Sequence, residues 1–294
     1  MLKNSVGKTI NLIYIAAKVR LGFLIMACTL AGIAVSPTST LTPLEILLLS
    51  VCVLVASSTS GAFNQWFERD IDSIMDRTKN RPFVTQELQP NNLLNVWLII
   101  ISFIALFFTY RVANLEASIY LFAGIFTYGI IYTVWLKRKT WMNIVIGGLA
   151  GTFAVLVGSA ATGNTFATAP LILSIILFLW TPPHFWALAI CFKDDYEKAS
   201  VPMLPVVTSI SITSHAIFWH TLLLVLLSFT LIFYGMHWVY LIFALTGGLY
   251  FLYTSAQLLR KQDNSWAKKT FFASIIHLGL LNVLLRQKKF FKPQ

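Results

Sequence analysis

From Thr140 to Phe192 the chain runs without a single aspartate, glutamate, lysine or arginine. A helix needs about 20 apolar residues to cross the hydrocarbon of a bilayer, so this stretch alone accommodates two spans. Comparable runs recur at Leu21 to Leu44, Ile46 to Phe67 and Ala117 to Leu136. Of the 294 residues, 57% are apolar and 11% charged, against about 25% charged in a soluble domain. Lipid is the main solvent of such a chain, and only helices or a closed barrel satisfy the backbone there.

The breaks in hydropathy predict an all-α, polytopic membrane bundle of about nine spans around a central cavity open to lipid. The spans fall at 21–37, 42–62, 92–110, 116–135, 143–162, 168–190, 212–234, 236–258 and 270–286. The chain reads as a single domain over 1–294, with tails 1–14 and 287–294 peripheral. The first run follows Lys3, Lys8, Lys18 and Arg20 without a clean small-residue cleavage site, which predicts a retained span. Cys28, Cys52 and Cys191 have no paired spacing and suggest neither disulfides nor a metal site.

A net charge of +11 would suggest nucleic acid for a soluble protein, but here the bases flank apolar spans and no nucleic-acid partner is expected. The N-terminal tail and the loops 63–91, 136–142, 191–211 and 259–269 hold 17 of the 22 lysines and arginines. The positive-inside rule places all of them on the cytoplasmic face. An odd number of spans sends Arg286, Lys288, Lys289 and Lys292 to the opposite face, in conflict with that rule. The short N-terminal tail, without a long Arg- and Ser-rich transit segment, favours a bacterial inner membrane.

Eight of the 11 carboxylates sit on two of these loops: Glu68, Asp70, Asp72, Asp76 and Glu87 on the first, Asp194, Asp195 and Glu197 on the second. Asn64, Glu68, Asp72 and Asp76 recur every fourth residue, which on a helix leaving the second span lines oxygen ligands along one slowly rotating stripe. Mg²⁺ takes such hard oxygens, usually one or two carboxylates, while substrate phosphates complete its shell. The neighbouring Arg77, Lys79 and Arg81 suit a diphosphate. The same spacing also fits a solvated helix end with ordinary surface ion pairs.

The second acidic loop follows Trp180-Thr-Pro182-Pro183-His184-Phe185-Trp186, where paired prolines at membrane depth predict a break lining a cavity. Lys193 with Glu197 and Asp194 with Lys198 also fit plain i,i+4 ion pairs. A third polar patch joins Tyr128 and Tyr132 to Lys137, Arg138 and Lys139, then Asn143, Gly147 and Gly148. Its bases either hold diphosphate or anchor the span among headgroups. A lone histidine at a span end, such as His184, is more often an interfacial hydrogen-bonding residue than a ligand.

Asn64-x3-Glu68-x3-Asp72 with Met75-x-Arg77-Thr78-x2-Arg81-Pro82 resembles the first motif of the UbiA-type intramembrane prenyltransferases. Leu136-Lys137-Arg138 through Asn143 to Gly148, Thr181-Pro-Pro-His184-Phe-Trp186, Asp194-Asp195-Tyr196 and Val201-Pro-Met-Leu-Pro205 look like the heme-farnesylating branch. The likeness covers roughly residues 15 to 285. It departs at Glu68, where the family usually carries aspartate, so a longer side chain must reach the same metal.

The resemblance implies a Mg²⁺-dependent enzyme that moves a farnesyl group from farnesyl diphosphate to a vinyl of protoheme IX. It implies metal ligands among Asn64, Glu68, Asp72, Asp76, Asp194 and Asp195, with Arg77, Arg81, Lys137 and Arg138 on the diphosphate. Lys79, Tyr128, Tyr132, Asn143, His184, Trp186 and Tyr196 are implied in substrate binding. Tyr128, Tyr132, Phe178 and Trp186 would shield an allylic cation, and His184 would orient heme or ligate its iron. Handover of product to heme-using membrane enzymes follows from that chemistry. Prenylation of a quinone precursor or another tetrapyrrole remains an alternative. A transporter fits less well, because transporters place their sites at midplane and this chain collects its carboxylates at one face.

Overall fold

The computed structural model describes residues 2–89 and 91–284, and among these every regular element is helical. The helices are α1 (Leu2–Ala16), α2 (Val19–Val35), α3 (Pro43–Phe67), α4 (Arg69–Ile74), α5 (Asn92–Val112) and α6 (Leu115–Phe126). A π-helical segment, Thr127–Leu136, continues α6. Then come α7 (Asn143–Gly147), α8 (Leu149–Ala161), α9 (Thr168–Cys191), α10 (Lys193–Lys198), α11 (Leu204–Val207), α12 (Ile210–Thr230), α13 (Trp238–Lys261) and α14 (Asn264–Leu284).

Seven of these rods are long and apolar enough to cross a membrane, and the pair α1 and α2, bent by 55°, makes an eighth. The chain is an integral, multi-pass membrane protein. The ninth expected span, 270–286, falls on α14, which among the described residues is not one of the helices long and apolar enough to cross, so seven or eight spans stand where nine were expected; the end of that span and the basic residues Arg286, Lys288, Lys289 and Lys292 lie outside the described residues. Caps fix the helix starts. Thr42 and Glu45 form a reciprocal capping box at α3, and Asn91, Asn114 and Ser209 each accept from a first-turn amide at α5, α6 and α12.

Helices α2, α3, α5, α6 and α8 pack in a closed ring, α9, α12, α13 and α14 pack in another, and α8 against α9 joins them. Between apolar helices in lipid, close approach depends on small residues. A Cβ on Gly158 of α8 would lie 2.0 Å from the Thr29 carbonyl oxygen, and one on Gly32 of α2 would lie 2.2 Å from that of Val155. Thr29 donates its hydroxyl across this contact to Ala154 at 2.8 Å.

The prolines act differently from the sequence expectation. Helix α9 runs through Pro182 and Pro183 unbroken, both rings being buried against neighbouring helices, and the chain breaks only at Phe192 (φ −121°, ψ 32°). Tertiary packing holds the helix where the two missing N–H donors weaken it. The true interruptions are Gly148, which divides the expected 143–162 span, and Lys18, whose left-handed backbone (φ 49°) turns α1 away from α2.

Candidate active site

The end of α3 and the start of α4 keep one helical path through Glu68, since Glu68 N–H donates to Asn64 at 3.0 Å and Asp72 N–H donates to Glu68 at 2.8 Å. Asn64, Glu68 and Asp72 therefore share a face, and they are only 1%, 1% and 3% exposed. Met75 is extended, so the path ends before Asp76, which is exposed and pairs with Lys79 at 2.7 Å. The fourth member of the stripe and Lys79 thus stand apart from the buried three.

Cations from distant parts of the sequence converge on them. The π-helical turn ends with Lys137 N–H donating to Tyr132 at 2.9 Å, which aims the Lys137 ammonium at Glu68 Oε2, 2.5 Å away. Arg81 Nη1 donates to Asp72 Oδ2 at 2.6 Å, and Thr78 ties down the Asp72 carbonyl at 3.0 Å. Lys18, projecting from the break between α1 and α2, donates to Asn64 Oδ1 and reaches the Tyr128 hydroxyl at 3.3 Å. The Asn64 amide donates to Thr133 at 2.8 Å, and Gln65 donates to the Ile15 carbonyl at 2.8 Å, fixing α1 to this end of α3.

Burial pushes the Glu68 carboxyl up, but Lys137, Lys18 and Arg81 outweigh it and hold the group below the usual carboxylate range. Its other oxygen, Oε1, is buried without a hydrogen-bond partner.

The second acidic loop closes on the first. Asp195, 8% exposed, accepts from the Arg77 backbone N–H at 3.3 Å, the Tyr196 hydroxyl accepts from Arg77 Nη2 at 3.5 Å, and the Arg77 guanidinium lies 5.5 Å from the Phe192 ring. Asp194 faces solvent. Arg138 also stays outside, holding both Asp70 oxygens at 2.7 and 2.8 Å on the exposed flank.

Tyr128 and Tyr132 stack with centroids 5.7 Å apart. A Cβ at Gly147 would come 2.7 Å from the Tyr132 ring, so that glycine makes room for it. Asn143 braces the loop before it through the Thr140 carbonyl at 2.6 Å, and its Oδ1 is buried and unpartnered. Trp186 is buried with Nε1 unpartnered, beside His220 at 5.3 Å. His184 bonds Ser274 through Nδ1 at 2.7 Å.

Among the described residues, no three of His, Cys, Asp and Glu converge tightly enough to chelate an ion alone. The donor set still suits Mg²⁺, which takes one or two protein carboxylates and completes its shell with water and phosphate. The orphaned Glu68 Oε1 is a buried carboxylate oxygen of the kind such an ion satisfies. Nothing in the sequence marks Lys18 or Thr133 as belonging to this site, and Thr78 figures there only as a member of the Arg77-to-Pro82 motif. Lys18 reads as one of several topogenic bases until the fold inserts it here.

Residues 25–276 match the UbiA prenyltransferase family. The chain is 43% identical over 275 residues to protoheme IX farnesyltransferase 2 of Paramagnetospirillum magneticum, covering 93% of this chain and 96% of that one. It is 41% identical over 270 residues to the protoheme IX farnesyltransferase of Rickettsia akari, covering 91% and 88%. Among solved structures it resembles a digeranylgeranylglyceryl phosphate synthase (TM-score 0.77, 19% identity, 95% and 99% covered). It also resembles a UbiA homolog from Archaeoglobus fulgidus bound to DMAPP and Mg²⁺ (TM-score 0.71, 14% identity, 93% and 99% covered).

Proposed function

Because the chain belongs to the UbiA prenyltransferase family, we propose that it transfers the farnesyl group of farnesyl diphosphate to a vinyl group of protoheme IX, giving heme O and diphosphate. The observation that carries this reading is the 43% identity, along nearly the whole chain, to a protoheme IX farnesyltransferase. The buried Asn64, Glu68 and Asp72, ringed by Lys18, Arg81 and Lys137, give that chemistry a place.

Asn64, Glu68, Asp72 and Asp195 would hold Mg²⁺, with Asp76 and Asp194 able to join only by moving from solvent. When bound, the ion supplies Lewis-acid stabilisation of charge on the diphosphate oxygens. Lys18, Lys137, Arg81 and Arg77 bind the diphosphate and neutralise the electron pair it carries away as the allylic C–O bond breaks. The Lys137–Glu68 and Arg81–Asp72 pairs keep these cations in place between turnovers.

The stacked Tyr128 and Tyr132 offer aromatic faces to the allylic cation and exclude water from it. The vinyl π-electrons form the new C–C bond at farnesyl C1. Water then captures the resulting cation beside the porphyrin ring and releases a proton, leaving a hydroxyethylfarnesyl substituent. Trp186 and Asn143 line the porphyrin side, each with a buried polar atom unpartnered. The loops bearing this site face the cytoplasm of a bacterial inner membrane, and the apolar product passes to heme-using membrane enzymes.

The test supplies purified protein in detergent with protoheme IX, farnesyl diphosphate and Mg²⁺, and reads farnesylated heme by mass spectrometry. A product that EDTA abolishes supports the reading. No product from folded protein, with product from another prenyl acceptor, overturns it.

A further inference from the structure

The helix path through α3 and α4 has a second face. Trp66, Arg69, Asp70 and Ser73 follow one another at helical spacing, largely opposite the face that carries Asn64, Glu68 and Asp72. With Phe67, Phe83 and Arg138 they line a cleft of about 600 Å³, within the range of about 300–1,000 Å³ that small-ligand sites occupy. Neither the buried carboxylates nor Lys18, Arg81 and Lys137 line it.

The charges of this cleft leave one guanidinium over. Arg138 grips both Asp70 oxygens, at 2.7 and 2.8 Å, so those two charges cancel. Arg69 enters none of the ion pairs among the described residues. Its guanidinium lies 5.1 Å from the Trp66 ring and donates to the Trp66 carbonyl at 2.7 Å, which fixes the group and leaves N–H donors to spare. A fixed, exposed guanidinium of this kind matches the oxygens of a phosphate monoanion.

The cleft lies where α3, a membrane span, ends. Phe63, Trp66 and Phe67 cluster there with ring centroids 5.9 to 6.5 Å apart, an aromatic belt of the kind found at headgroup level. Trp135, at the end of the span that leads to Arg138, is 56% exposed, so lipid-facing surface reaches the cleft from that side also. Basic pockets at such a depth suit lipid headgroups. We infer that this cleft binds a glycerophospholipid of one net negative charge, its phosphate on Arg69 and its glycerol and upper acyl chains against Trp66, Phe67 and Phe83. Trp66 and Arg69 share helical turns with Asn64 and Glu68, so the bound lipid braces from outside the turns that carry the buried carboxylates.

The experiment delipidates the purified full chain in detergent and titrates it with phosphatidylglycerol, with phosphatidylcholine of the same acyl chains, and with glycerol 1-phosphate. Native mass spectrometry counts bound molecules, and thermal unfolding reads the stabilisation that binding to the folded state confers. The wild type is compared with Arg69→Gln, with Ser73→Glu, which sets a carboxylate on the exposed rim, and with Arg260→Gln, which removes an exposed arginine of α13 outside the cleft. All three substitutions change the net charge equally. The inference expects the wild type and Arg260→Gln to bind one phosphatidylglycerol about 10-fold or more tighter than phosphatidylcholine, the scale of one charge-assisted hydrogen bond. Arg69→Gln and Ser73→Glu lose that preference and the thermal shift that goes with it, and glycerol 1-phosphate gives neither. Equal binding of the two lipids by the wild type, an undiminished preference in Arg69→Gln, or an equal loss in Arg260→Gln overturns the inference. If Arg69→Gln does not fold, an undiminished preference in Ser73→Glu overturns it. Stabilisation by glycerol 1-phosphate as large as that by the lipid overturns the lipid assignment in favour of free phosphate.

Discussion

Lys137 Nζ sits 2.5 Å from Glu68 Oε2, while Oε1 of the same buried carboxylate meets no donor. One carboxylate thus serves a cation from the protein with one oxygen and has the other available for a metal. Near it, Arg81 holds Asp72 Oδ2 at 2.6 Å, so the two buried carboxylates are each engaged on one oxygen by a residue that also suits diphosphate.

Asp72→Asn keeps the side chain's shape and removes its charge. The enzyme reading expects kcat to fall at least about 100-fold, the scale of losing one preorganised electrostatic partner. The protein should still reach the membrane and elute as a folded species on gel filtration. Turnover of the variant within a few-fold of wild type, measured by the mass-spectrometric assay, would return Asp72 to an ordinary structural pair.

The Glu68 carboxyl is held below its usual range by Lys137, Lys18 and Arg81 against the upward push of burial. A group with a depressed folded pKa contributes stability above its unfolded pKa and loses it as pH falls through the folded value. The unfolded reference is 4.5, so the contribution is complete at neutral pH and drains away only below that point. Glu68→Gln leaves the Lys137 ammonium unpaired at the site, a change that costs about 3–5 kcal/mol when a buried pair is broken. Thermal denaturation should show a wide gap between wild type and Glu68→Gln at pH 7 that narrows as the pH drops below 4.5. A gap independent of pH would mean that the charge of Glu68 does not stabilise the fold.

The bundle was legible because membrane spans announce themselves locally: an uncharged run such as Thr140 to Phe192 has few alternatives in lipid. The stripe from Asn64 to Asp72 was legible too, since spacing determines a helix face. What was not legible depends on contacts between distant segments. Nothing near Lys18 says that its backbone turns left-handed and delivers the ammonium to Asn64, 46 positions away. Likewise, Asp76 continues the i+4 spacing, yet the extended Met75 turns it out to Lys79. Pro182 and Pro183 mislead in the other direction, because packing against neighbouring helices keeps α9 intact.

Lys18 bonds Asn64 and the Tyr128 hydroxyl rather than an acidic partner, which leaves its charge directed at the space beside the carboxylates. Replacing it with methionine keeps much of the stem and deletes the charge. A charge-assisted hydrogen bond is worth about 1.5–3 kcal/mol, so Lys18→Met should weaken binding of a non-hydrolysable farnesyl diphosphate analogue by about 10- to 100-fold. Protoheme affinity should stay the same. Calorimetric titration of both ligands checks this, and equal weakening of both would point to a loosened α1 instead of a lost diphosphate contact.

The crossing of α2 and α8 tests the packing independently of the chemistry. A methyl group on Gly158 would lie 2.0 Å from the Thr29 carbonyl oxygen and 2.9 Å from the Ile33 nitrogen, both backbone atoms that cannot rotate away. Gly158→Ala must therefore push the helices apart, straining the 2.8 Å bond from Thr29 to Ala154 as well. Overpacking of this kind costs about 1–3 kcal/mol. Gly163→Ala gives the contrast: nothing lies within 4 Å of its added Cβ, and its cost comes only from the positive φ of 70°. Thermal unfolding in detergent should place Gly158→Ala well below wild type even though the substitution touches no polar residue of the site. If Gly158→Ala melts with the wild type, α2 and α8 do not approach as closely as these distances require.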